Sequence, residues 1–360
     1  MNKYPIYRGE LYNSAKTIPL IKSDGSLDSA ANGLWTDGMK GQLPLGLTTN
    51  TANEKVAQRT LYTNRQVAAA SPYTASQANG LKKVNVTTLF GTDSNTALFV
   101  NDPDKNYWLN LLGYNVGAAE SGITLTNLTA KPELRQVGAV MHSTPLLLTQ
   151  SGKITVGSGG VLDTKVRDDY LLFGSTQGLL HVVHAGKNET DPNRGKEVFA
   201  FAPNEMMQNQ KAAFLSETSS TGGKNNLFYG IDAPWTAFTQ YVAKSDGTLT
   251  VTDSGRTVKE TDDGEAISLK GLQWVYGGLR MGGKSYYALD LSDLGNPSLK
   301  FHIDPENQKI YNSATTKSDV TALSYMGKSW SKPTIAYINF GGKKKLVMFV
   351  GGGYDMEYEK

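Results

Sequence analysis

The chain has 360 residues, 39% of them hydrophobic and 19% charged, enough to bury a sizeable core and too apolar for a disordered segment. Its 36 basic and 33 acidic residues leave a formal net charge of +3, which offers no footprint for nucleic acid. The absence of cysteine excludes disulfides, thiolate metal sites and thiol nucleophiles, and no apolar run reaches the ~18–20 residues of a membrane helix.

The opening residues, Met1 to Tyr7, lack the apolar core of a secretory signal, so the expectation is a cytosolic protein or one whose leader lies upstream. Residues 1–130 read as an irregular, mostly polar segment, punctuated by turn pairs such as Asp24-Gly25 and Asp37-Gly38. Within it, Thr87–Phe90, Ala97–Val100 and Trp108–Leu112 are apolar enough for short strands or a helical turn. From about residue 137 apolar, β-branched and aromatic runs alternate with glycine-rich turns. They include Pro145–Thr149, Tyr170–Gly174, Leu179–His184, Glu197–Ala202, Leu227–Ile231 and Trp235–Val242. Leu272–Gly277, Tyr286–Leu291, Pro333–Ile338 and Leu346–Val350 follow, the last entered from the turn at Gly341-Gly342 and Lys343–Lys345. One helix is predicted over Asn204–Leu215, with Asn204 as its cap.

A weak repeat selects the architecture. A strand opens after Pro145, Pro234 and Pro333, and each time a later strand ends in glycine, at Gly174, Gly277-Gly278 and Gly351-Gly352. The interval between prolines is about twice the ~40–50 residues of a plain propeller blade, so each holds two blades or one blade with a long insertion. Residues 216–226 and 244–266 read as such insertions. The expected fold is therefore all-β, a β-propeller with an incomplete set of blades spanning 131–360, preceded by the irregular segment 1–130. Glycine suits places where strand ends crowd, and Trp235, Trp274 and Trp330 are expected to fill the wedges between blades.

Four pieces in order resemble the C-terminal propeller of the PilC/PilY family of type IV pilus tip-associated adhesins and biogenesis factors. The first is Val137-Gly138-Ala139-Val140-Met141-His142-Ser143-Thr144-Pro145. The second runs from Phe173-Gly174-Ser175-Thr176-Gln177-Gly178-Leu179-Leu180-His181 to Gly195-Lys196-Glu197-Val198-Phe199-Ala200-Phe201-Ala202-Pro203. The third joins Tyr229-Gly230-Ile231-Asp232-Ala233-Pro234 to Gly277-Gly278-Leu279-Arg280 and Gly283-Lys284-Ser285-Tyr286-Tyr287-Ala288-Leu289-Asp290. The fourth joins Ser329-Trp330-Ser331-Lys332-Pro333 to Val350-Gly351-Gly352-Gly353-Tyr354-Asp355. Leu34–Asp37 and Arg59–Thr63 resemble the segment ahead of that propeller. The resemblance marks His142, Ser143, Pro145, Gly174, Gly178, His181, Asp232, Pro234, Gly277, Gly278, Gly283, Tyr287, Asp290, Trp330, Pro333, Gly351, Gly353 and Tyr354 as structural motif positions. It implies an internal piece of a larger surface protein, with the family's calcium loop just past Lys360 and no cofactor within the chain. It also implies pilin or minor-pilin partners, a host-surface receptor, and a place at the outer membrane or pilus tip.

No constellation for catalysis stands out. His181 and His184 are three apart, which in a strand puts them on opposite faces, and a shared metal is not expected. His142 is expected to hydrogen-bond a neighbouring turn. The carboxylate clusters Asp102/Asp104, Asp168/Asp169 and Asp262/Asp263/Glu265 read as solvated loops, and Ser23–Asp28 has too few acids in register for a calcium loop. Neither a nucleophile elbow nor a phosphate-cradling loop is present. The functional expectation is a non-catalytic protein of pilus biogenesis and adhesion, binding through propeller loops. The alternatives are a quinoprotein (pyrroloquinoline-quinone) dehydrogenase-like propeller or a generic surface scaffold.

Overall fold

The computed structural model describes residues 5–13, 15–23, 28, 38–51, 53, 55–93, 95–187, 190–216, 227–252, 256–259, 266–312 and 315–355. The turn pair at Asp24, the stretches Leu34–Asp37 and Asp262–Glu265, and residues 217–226 lie outside them.

The chain is mostly β, and the proline-marked repeat is real. Leu146–Val156, Leu162–Gly174, Leu180–His184 and Glu197–Phe201 form one antiparallel four-stranded meander. Thr236–Gln240, Leu272–Gly278, Tyr286–Asp290 and Ser298–Asp304 form a second with the same order. After Pro333 comes a two-stranded hairpin, Thr334–Phe340 and Lys343–Phe349. Its turn residues Gly341 and Gly342 both have positive φ, 60° and 72°, the backbone that lets a two-residue turn follow the strand twist. Each proline interval thus holds one four-stranded unit with long insertions.

Both meanders are extended. Val242–Ala243 and Leu249–Thr250 add to one edge of the first, and Lys309–Asn312 and Thr316–Lys317 to the second. At the other edge of the first, Leu61–Val67 pairs in parallel with Glu197–Phe201 and antiparallel with Ala75–Val84, giving eight strands. The segment expected to be irregular therefore supplies two strands to this sheet, and its described residues hold two short hairpins besides, Ile6–Tyr7 with Glu10–Leu11 and Leu47–Thr49 with Lys55–Ala57. Leu61–Val67 did not read as a strand because its middle residues Thr63, Asn64 and Arg65 are polar, yet all three are buried. The helices Val86–Phe90 and Lys105–Leu111 follow, the first closed by a reciprocal Asn85–Thr88 capping box.

One core runs through these parts. Val86, Leu89, Phe99, Trp108 and Leu112 from the first third join Leu172, Val182, Phe201, Trp235, Val275, Tyr287 and Leu289 from the meanders. The sheets meet at Phe201 and Tyr287, whose rings pack edge-on at 5.6 Å. Tyr62 Oη also donates to the Gly295 carbonyl at 2.9 Å across the same seam. The predicted helix spans Asn204–Gln210 and continues as a 3-10 turn over Lys211–Phe214. Asn204 does not cap it: its Oδ1 accepts from Arg65 at 2.8 Å instead. Leu227–Ile231 is not a strand, because its amides serve the turn at Ser175, with Ile231 N donating to Ser175 O and Gly230 N to Gln210 Oε1.

Candidate functional site

The four family-like pieces converge on one junction. Ser143 Oγ accepts from the Gly174 amide at 2.8 Å, tying the first piece to the second. A Cβ at Gly174 would sit 2.0 Å from the Ile231 carbonyl oxygen, so only glycine lets the third piece close on the second. Asp232, 2% exposed, follows directly. Both of its carboxylate oxygens lie 3.0 Å from His142 Nδ1, and Oδ2 accepts from Arg280 Nη1 at 2.8 Å. Arg280 Nη1 also reaches His142 Nδ1 at 2.7 Å, so that ring nitrogen stands between the carboxylate and the guanidinium. Arg280 has φ 52°, an unusual backbone for a residue with a side chain, which turns its head back over Asp232. Its guanidinium lies 5.8 Å from the Trp330 ring centroid, which brings in the fourth piece. The junction is an ion-paired latch at the surface: the His142 side chain and Trp330 are each 45% exposed. Trp330 therefore does not fill a wedge, whereas Trp235 does, at 1% exposure and against Gly277.

A second polar chain lies beneath. Ser175 Oγ is 3.0 Å from His181 Nε2, and His181 Nδ1 is 2.7 Å from Glu197 Oε1. Arg59 grips the same carboxylate through Nε at 2.6 Å and Nη2 at 2.9 Å, and its Nη1 donates to Leu111 O. Burial holds the His181 ring neutral, lowering its pKa more than the Glu197 contact raises it. Burial likewise pushes the Glu197 carboxyl up, but Arg59 and His181 together bring it down to about 2. The order serine, histidine, carboxylate is that of a hydrolase triad. Here Ser175 and His181 are 1% and 0% exposed, so no acyl substrate reaches Oγ, and the chain instead clips Arg59 to two strands and a turn.

A third cluster corrects the reading of Asp102 and Asp104 as a solvated loop; they are 5% and 9% exposed. Arg65 bonds Asp102 through Nε at 2.8 Å and Nη2 at 2.7 Å, and Asp104 at 2.5 Å. Trp108 Nε1 donates to Asp102 at 3.0 Å, and Lys211 Nζ to Asp104 at 2.7 Å. Asp168 and Asp169 are half-buried, with Thr149 Oγ1 donating to Asp169 at 2.6 Å. Among the described residues, no three His, Asp or Glu side chains gather as cation ligands.

No family model matches the chain, and no curated protein matches it. Among solved structures it is similar to the crystal structure of the Pseudomonas aeruginosa PilY1 C-terminal domain. The identity is 21%, the match covers 53% of this chain and 26% of that chain, and the TM-score is 0.27.

The remaining motif positions serve packing. His181 and His184 do face opposite ways: His181 is in the core, while His184 packs against Tyr170 at 4.8 Å. Gly178, with φ 93°, turns against Met206; Gly278 lies under Tyr286. Asp290 accepts from Trp274 Nε1 at 2.9 Å. Pro145 is exposed, Pro234 half-buried and Pro333 buried, each just ahead of its strand. Gly351 lies beside Ser331, Gly353 close to the Gly327 carbonyl, and Tyr354 exchanges backbone bonds with Lys328. Sequence reasoning missed Glu197, Arg59 and Arg65; the one signal for Glu197 was a lone carboxylate opening an apolar strand.

Tyr287 is stacked on His302 at 4.2 Å with rings 8° apart, and burial pushes the His302 ring down to about 3. Tyr287 Oη donates to Glu205 Oε2 at 3.1 Å, and Gly283 packs against the same carboxyl. Burial raises the Glu205 pKa from 4.5 to about 7, against the lowering by the Ser285 and Tyr287 hydrogen bonds, with Asp304 and Glu306 adding to the rise. The folded protein then holds this proton more tightly than the unfolded chain does. Stability is lost as pH rises from the ordinary carboxylate range to about 7. Glu205→Gln is expected to raise the thermal midpoint at pH 8 and to leave it nearly unchanged at pH 4.5. Equal shifts at both pH values would contradict this assignment.

Proposed function

We propose that this chain is a run of β-propeller blades from a non-catalytic, type IV pilus-associated surface protein of the PilC/PilY type. It acts in pilus biogenesis, favouring extension over retraction, and in adhesion to host cells or surfaces. Its partners on this reading are pilin or minor pilins and a host-surface receptor, met at the outer membrane or pilus tip. The observation that carries the reading is the junction. The four stretches that resemble the family in order are the ones that meet there, through Ser143, Gly174, Asp232, Arg280 and Trp330. Motifs that matched by accident have no reason to be in mutual contact. Two like-ordered four-stranded units and the hairpin after Pro333 suit successive blades.

A propeller of this kind binds through loops carried on a rigid frame. On this reading the first such segments are the insertions 216–226 and 244–266. The test is deletion of the parent gene, with surface pili counted by electron microscopy and adherent cells counted on a host monolayer. Piliation and adhesion are expected to fall together and to return with the unsubstituted gene. Unchanged values would overturn the proposal, as would dye-linked alcohol oxidation by the chain supplied with pyrroloquinoline quinone and calcium.

A further inference from the structure

We infer that Glu205 is a proton switch for the surface latch, with the turn Arg280–Gly282 as the lever between them. Glu205 stands in the first turn of the helix Asn204–Gln210, and its carboxyl meets the residue just after the lever. A Cβ at Gly283 would lie 2.3 Å from Glu205 Oε1 and 2.8 Å from Leu279 Cδ1, so the carboxyl rests on bare backbone. The turn is also wedged against Gly230, for a Cβ at Gly282 would lie 1.7 Å from the Gly230 carbonyl oxygen. A segment held this closely from two sides passes a push along instead of absorbing it.

The far end of the lever is Arg280. Its φ of 52° is a conformation that a residue with a side chain keeps only where its surroundings hold it there. That backbone brings the guanidinium to 2.8 Å from Asp232 and 5.8 Å from the Trp330 ring centroid. A small shift of the turn therefore loosens both contacts together.

Charge is what moves the lever. Tyr287 Oη and the Ser285 hydroxyl bond the Glu205 carboxyl, while Asp304 and Glu306 act on it as like charges. His302 stacks behind Tyr287, and burial keeps its ring neutral. The bases on the segment beside the carboxyl are paired elsewhere, Arg280 with Asp232 and Lys284 with Asp355. A carboxylate formed here is thus enclosed near two other acids, and none of these groups brings it a counter-charge. Relief comes from moving away or admitting water, and either one displaces Gly283 and Leu279. Burial raises the Glu205 pKa to about 7, which sets the direction: the latch is closed below neutral pH and loosens above it.

The latch holds a titratable ring of its own, His142, between Asp232 and Arg280, and the experiment separates it from Glu205. The full chain is labelled with 5-fluorotryptophan, and its 5 tryptophans are followed as fluorine resonances. Trp330 is assigned by the resonance lost in Trp330→Phe. It is expected to shift with rising pH through one midpoint at about 7, while the core residues Trp108 and Trp235 stay in place. Glu205→Gln is expected to hold the Trp330 resonance at its acid position throughout, and His142→Asn to keep the transition. A flat Trp330 resonance in the unsubstituted chain overturns the proposal. So does a transition that persists in Glu205→Gln or disappears in His142→Asn. The unsubstituted chain and His142→Asn decide the matter even if Glu205→Gln misfolds.

Discussion

Arg65→Met is expected to lower the unfolding free energy by about 3–5 kcal/mol, the loss that follows when one partner of a buried ion pair is removed. Arg65 is 1% exposed and bonds two carboxylates, Asp102 and Asp104. Without the guanidinium, Asp102 keeps only the Trp108 indole and the Asp104 amide as donors, and Asp104 leans on Lys211 alone. The variant also strands Asn204, whose Oδ1 loses its donor. Urea denaturation should show a lower midpoint with an unchanged slope, since the surface exposed on unfolding stays the same. Arg65→Met combined with Asp102→Leu should recover part of the loss, because an apolar pair tolerates the site better than a lone charge. A single-variant loss below about 1 kcal/mol would mean that water already reaches these carboxylates.

Glu197→Gln is expected to cost a similar amount at neutral pH, about 3–5 kcal/mol, because it leaves the Arg59 guanidinium buried without its counter-charge. The hydrogen bond from His181 survives, since the new amide oxygen still accepts it. The pH dependence separates the charge from the geometry. In the parent protein the Glu197 carboxyl is brought from 4.5 to about 2 by Arg59 and His181, despite burial. Its stabilisation is therefore complete above the unfolded value and is lost as pH falls from 4.5 towards 2. The gap between parent and Glu197→Gln should narrow across that window. A gap that stays constant down to acid pH would show that shape, and not charge, is what Glu197 supplies.

These two clusters mark where reading the sequence stops. The meanders were legible because their strands are apolar or aromatic and are bracketed by proline and glycine, as at Pro145 and Gly174. Close backbone approach was legible at Gly277, where the Trp235 ring fills the space of a side chain. Leu61–Val67 was hidden because burial there is achieved by ion pairing, and Thr-Asn-Arg breaks the apolar alternation that announces a strand. Asp102 read as solvated because its partner stands 37 residues earlier, and Glu197 was silent because Arg59 is 138 residues away. Pairing at that range leaves no local pattern. The latch was partly visible: His142 and Asp232 were marked as motif positions, but Arg280 closes it only through its left-handed backbone.

The parallel seam between Leu61–Val67 and Glu197–Phe201 has a bearing on how the chain is made. A ribosome working at about 5–20 residues per second completes the earlier strand well before its partner exists. During that wait the strand stands as an open template for pairing with other chains, and contacts of such range close slowly. Its polar centre, Thr63-Asn64-Arg65, breaks up what would otherwise be a sticky segment. The same three residues that obscure the strand in the sequence keep it soluble until Glu197–Phe201 arrives.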